Sequence, residues 1–187
     1  FEGAGDKKQG ERLKNTIEDF GSLSGLYKKI EVKRLGPKAS DPLQILVASY
    51  GPPVNLSDVG YGVSQALPIV VQCALSPDNA LMLIQQPEVH LHPKAQAALG
   101  SFFVNLQANT KKKFVIETHS FHLVDRIRYE VAQKNIDPDS VLILFFEKEG
   151  LKTTIHQISV DELGNLVDAP DAYGSFFLEE GFKLLSR

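Results

Sequence analysis

The chain has a single cysteine, Cys73, so it cannot form an internal disulfide or a multi-cysteine zinc site, which fits a reducing compartment. Long apolar runs are also missing. None reaches the roughly 18 residues needed to span a bilayer, and no charged-then-apolar leader opens the sequence, so the expectation is an untargeted cytoplasmic protein with no membrane segment. Positive charge is in short supply too: the net charge is −3, so no global basic field attracts nucleic acid, and any such contact would need a local patch. What remains is a chain of 187 residues, 43% hydrophobic and 23% charged, enough to bury a core in one globular domain. It begins at Phe1 rather than Met, which is read as the start of a fragment.

Residues 1–26 are polar and carry Gly3, Gly5, Gly10, Gly21 and Gly25, with only Glu11 to Phe20 able to form a helix. They are expected to be a tether or the remnant of an insertion, and residues 27–187 a single lobe. From Tyr27 to Leu35 and from Leu43 to Ser49, aliphatic residues alternate with Lys, Glu or Gln on either side of a Gly36-Pro37 and Asp41-Pro42 break, which predicts an antiparallel hairpin. Gly60 and Gly62 precede a helix over 63–75, in which Pro68 must lie in the early turns or kink it. Ala80 to Ile84 is a short continuous apolar run, as expected of a strand buried on both faces of a parallel sheet. A Pro93-led helix, a strand over 114–116 and a helix over 121–134 complete a parallel α/β pattern. Two strands joined at Gly150 and a packing helix over 176–185 follow.

Three segments carry chemistry. The first, Leu83-Ile84-Gln85-Gln86-Pro87-Glu88-Val89-His90-Leu91-His92-Pro93, is an apolar strand running into a polar corner and a helix. The second, Asn55-Leu56-Ser57-Asp58-Val59-Gly60-Tyr61-Gly62-Val63-Ser64-Gln65, places glycines and hydroxyls just before a helix N-terminus. Free N–H groups and the helix dipole make such a place an anion site, although a tight turn with an N-cap uses the same residues. The third, Val115-Ile116-Glu117-Thr118-His119-Ser120, is a strand with a histidine at its tip. A neutral imidazole there can donate to a phosphate oxygen and orient water, and it can equally be an ordinary loop residue.

In this order the three segments resemble the Walker B strand with its D-loop corner, the signature motif and the switch loop of ABC-type ATPase heads. The likeness is closest to the OLD-like and SMC-like heads and to a related group with an uncharacterised C-terminal domain. The fold class implied is α/β, the C-terminal half of a P-loop NTPase of ABC type with an added antiparallel hairpin region. The resemblance implies ATP and Mg²⁺ as cofactors and a homodimer of heads that closes on nucleotide. Ser57, Gly60, Gly62, Ser64 and Gln65 would then touch the γ-phosphate held by the opposite head, and His119 would sense it. His90 and His92 would face the partner; the alternative, a metal held by the two histidines, has no third ligand at the usual spacing.

Two features depart from the family. Gln85 stands where a carboxylate holds the Mg²⁺ water shell, and Gln86 where a glutamate polarises the attacking water. Amides supply neither charge nor basicity, so turnover is expected to be weak or trapped. Glu88 is the nearest remaining acid in that segment, expected either to take over part of this role or merely to cap the following turn or pair with a lysine. Secondly, no Gly-x-x-x-x-Gly-Lys-Ser/Thr loop occurs in the chain, so an N-terminal half carrying it is an expected partner. Antiviral defence or DNA maintenance, with an effector protein, is the biology the resemblance suggests. The rival reading is a scaffold that keeps the fold without using nucleotide. The Lys111 to Lys113 run could meet nucleic acid but is expected to be a solvated loop.

Overall fold

The computed structural model describes residues 4–174, with side chains from Gly10 onward. The chain divides into two compact units, 1–127 and 128–187.

The first unit opens with a helix, α1 (Ala4–Ser24), where the sequence suggested a tether. Leu13, Ile17, Phe20 and Ser24 recur at helical spacing; Ile17 and Phe20 are buried, and the Phe20 ring meets Phe102 edge-on at 5.6 Å. The glycines that argued against a helix have uses at its end. A Cβ on Gly21 would collide with the buried Tyr27 ring, and Gly25, at φ +76°, takes the left-handed position that closes the helix as Leu26 N–H donates back to the Gly21 carbonyl at 3.1 Å. Burial of α1 outweighs the cost of its glycines, about 1 kcal/mol each.

Strands β1 (Lys29–Arg34) and β2 (Leu43–Ala48) form the expected antiparallel hairpin, and β3 (Val54–Asn55) adds to its edge. Helix α2 (Tyr61–Leu75) buries Val63, Ala66, Leu67, Val70 and Cys73 along one face and keeps Pro68 in its interior. Its last turn is held by Lys112, a buried side chain whose Nζ donates to the carbonyls of Cys73 at 2.8 Å and Ala74 at 3.3 Å. Burial lowers the pKa of that ammonium.

Strands β4 (Leu81–Gln85) and β5 (Lys113–Glu117) pair in parallel, connected through α3 (Pro93–Thr110), the right-sized crossover for a parallel pair. Met82, Ile84, Phe114 and Ile116 pack into the core beneath them. Burial on both faces, expected of β4, is not observed: Leu83 is 74% exposed, and Leu81 and Val115 are exposed beside it. No element of the described residues covers that face, so the continuous apolar run serves two faces of which one is open. Helix α4 (Phe121–Ala132) follows.

In the second unit, β6 (Leu142–Glu149) and β7 (Lys152–Val160) pair antiparallel around Gly150, as the sequence predicted, and β8 (Leu166–Val167) joins β7. The helix expected over 176–185 lies outside the described residues.

Candidate functional site

The C-terminal ends of β4 and β5 lie side by side, with Gln85 in register with Glu117. Beyond Gln85 the chain turns through a corner with two non-glycine residues in the left-handed region, Gln86 at φ +46° and His90 at φ +65°. Conformations of that kind cost energy and concentrate at functional sites. The pairing is not lost at the turn, because Gln86 N–H still donates to the Glu117 carbonyl at 2.8 Å. The corner ends at His92, whose Nδ1 accepts from Lys94 N–H at 3.3 Å and caps α3, with Pro93 at its first position.

Glu88 is buried within this corner. It neither caps the next turn nor meets a lysine. Its Oε1 accepts a 2.7 Å hydrogen bond from the backbone N–H of His119, and its Oε2 is buried without a hydrogen-bond partner. A second strut runs parallel to the first: Gln96 donates to the Leu91 carbonyl at 2.8 Å and accepts from Ser120 Oγ at 2.6 Å, while Ser120 Oγ accepts from Leu123 N–H at 3.1 Å and so starts α4. These bonds hold the strand-tip loop 118–120 against the corner, leaving the His119 side chain exposed.

The glycine segment joins the same end of the molecule. The Tyr61 ring meets His90 edge-on at 4.7 Å between centroids. A Cβ on Gly62 would stand 3.3 Å from the His90 carbonyl oxygen, so the glycine allows helix and corner to approach. Gly60 caps α2 without a side-chain hydrogen bond and has open space around its α-carbon; of the first-turn N–H groups, that of Val63 donates to the Gly60 carbonyl at 3.0 Å. Nearby, Ser64 Oγ donates to the Tyr61 carbonyl at 2.9 Å, and Ser57 N–H donates to Asn55 Oδ1 at 3.2 Å. Gln65 and Ser57 are exposed. An open groove of about 480 Å³ borders this segment, lined by Ser57 and Ser64 on one side and by Leu35, Leu43 and Ile45 of the hairpin on the other.

Residues 7–125 match the family described as "AAA domain, putative AbiEii toxin, Type IV TA system". The chain belongs to this AAA domain family. Solved structures that it resembles in shape include SMC heads. One, from work on ATP-driven dimerization and DNA-stimulated activation of SMC ATPases, aligns at a TM-score of 0.53 and 11% identity over 81% of this AAA domain chain and 85% of its own. The Smc head bound to the C-winged helix domain of ScpA aligns at 0.58 and 13%, covering 81% of this chain and 44% of its own. The Pyrococcus furiosus Smc head with an extended coiled coil, bound to the ScpA C-terminal domain, aligns at 0.58 and 13%, covering 97% and 38%. This chain therefore spans most of the first relative and under half of the other two. Identities at this level establish the fold alone, that of these SMC heads. No curated protein matches the sequence.

The residues present suit a nucleotide and a hard cation in part. The N-terminus of α2 suits a phosphate, and oxygen donors at the ends of β4 and β5 suit Mg²⁺, which takes one or two carboxylates and completes its shell with water and phosphate oxygens. Among the described residues no group of three or more His, Cys, Asp or Glu gathers to hold a metal without such help. Sequence reading passed over Glu117, Tyr61 and Gln96; the first was findable, because a parallel pairing of the two strands puts the residue before Thr118 beside Gln85.

Proposed function

We propose that this AAA domain is the lobe of an ATP-dependent head that brings signature, Walker B and switch elements to a shared nucleotide site and closes on a second copy. One observation carries the reading: the three segments converge, with Tyr61 against His90 at 4.7 Å and His119 N–H on Glu88 at 2.7 Å. The N-terminus of α2, with Ser57, Gly60, Gly62, Ser64 and Gln65, would meet the γ-phosphate of the copy opposite, and His119 would read its presence. ATP supplies the phosphate charge that draws these elements together, and Mg²⁺ shields it. His90 and His92 would face the second head.

A segment carrying the phosphate loop is a required partner, and the open face formed by Leu81, Leu83 and Val115 is the surface it would cover. With amides at Gln85 and Gln86, nucleotide serves as glue and turnover is slow. A cytoplasmic switch that holds an effector, in antiviral defence or DNA maintenance, is the setting we favour. The same amide pair favours a second reading, a scaffold that no longer uses nucleotide. His119→Ala and Ser64→Ala in the full-length protein separate the two: loss of ATP-dependent dimerisation supports the switch, and unchanged assembly supports the scaffold.

A further inference from the structure

The acid absent from positions 85 and 86 has a counterpart one strand away. We propose that Glu117 supplies the carboxylate through which this head holds a divalent cation, with the Gln85 amide oxygen beside it; this rests on the nucleotide reading above.

Glu117 and Gln85 are in register at the C-terminal ends of parallel strands, and both are exposed. Parallel neighbours run about 4.8 Å apart and in-register side chains leave the sheet on the same side, so a ligand of one lies within reach of the other. Crevices at the carboxyl ends of parallel strands are also where α/β folds bind ligands. Gln86 steadies the carboxylate, its Nε2 donating to Glu117 Oε1 at 3.4 Å, while the backbone bond from Gln86 N–H to the Glu117 carbonyl fixes the strand ends. A carboxylate has about four acceptor sites, so this one bond leaves most of them open.

Glu88 does not compete for the role. It is buried, and its Oε1 is committed to the His119 backbone. Charge repulsion accounts for the amide at 85: carboxylates at both in-register positions would repel, each raising the other's pKa. One acid and one amide keep two oxygen donors with a single charge, sufficient for a cation that draws its remaining ligands from water and phosphate.

The test measures ATP binding calorimetrically to the full-length protein, with and without Mg²⁺, for wild type, Glu117→Gln, and the swap Gln85→Glu/Glu117→Gln. Both positions are exposed, and melting temperatures close to wild type confirm folding. In the wild type Mg²⁺ should tighten ATP; Glu117→Gln should lose that gain, about tenfold. The swap should recover it, since the charge only crosses the register. Electron paramagnetic resonance of Mn²⁺ with ATP supplies a second readout, in which Glu117→Gln should weaken Mn²⁺ retention. A full Mg²⁺ gain in Glu117→Gln, or no recovery in the swap, overturns this inference and leaves the nucleotide reading standing. Absence of ATP binding to the wild type in either condition overturns both.

Discussion

His119 donates its backbone N–H to Glu88 Oε1 at 2.7 Å, which ties the tip of β5 to the corner that follows β4. Removing the acceptor leaves a part-buried N–H without a partner, and replacing the carboxylate by an amide puts a donor where Oε2 now lacks a hydrogen bond. Both Glu88→Ala and Glu88→Gln are expected to cost about 1–3 kcal/mol. Hydrogen exchange at the His119 amide checks the mechanism: exchange should accelerate in Glu88→Ala, and unchanged exchange would mean the bond contributes nothing.

Phe20 distinguishes a tether from a core helix. A tether residue can be truncated freely, whereas Phe20 is 2% exposed and packed edge-on against Phe102. Phe20→Ala should lower the unfolding free energy by about 3–5 kcal/mol in urea titration. A change below about 0.5 kcal/mol, the surface range, would return α1 to the role of an appendage.

Cys73 lies at the end of the buried face of α2, and burial pushes its thiol up to about 11, against the opposing pull of Lys112. In the unfolded chain the thiol ionises near 8.5. The folded state therefore keeps its proton after the unfolded chain has released it. This contribution to stability is full below that unfolded value and is lost as pH rises to about 11. At pH 8.5 native Cys73 should resist alkylation by iodoacetamide and react only once the protein is unfolded in urea; equal rates in both states would contradict the burial.

Much of this fold could be read from periodicity and punctuation. The hairpin around Gly36 and Pro42, the Pro93 helix start and the Gly150 turn were legible because each rests on local chemistry. Of α1 only Glu11 to Phe20 was legible as a helix, since the glycines on either side lower local propensity and the compensating contact, Tyr27 over Gly21, depends on the tertiary fold. The open face of β4 was hidden for the same reason: Leu81 and Leu83 are apolar whether covered or exposed. At the site, motif order located the three segments, but not how Glu88 is used. A short string cannot show that its carboxylate turns toward a loop 31 residues ahead. Glu117 went unread because its meaning lies in the neighbouring strand.

The central claim, that the signature of one copy completes the site of the other, is tested most directly by mixing two defective full-length proteins, Ser64→Ala and His119→Ala. Each alone should fail to dimerise with ATP in sedimentation velocity. Mixed in equal amounts, they form some pairs in which one site keeps both His119 from one copy and Ser64 from the other, so about a quarter of wild-type sites should reappear. No recovery of ATP-held dimer or ATP binding in the mixture, with both variants folded, would contradict a shared site.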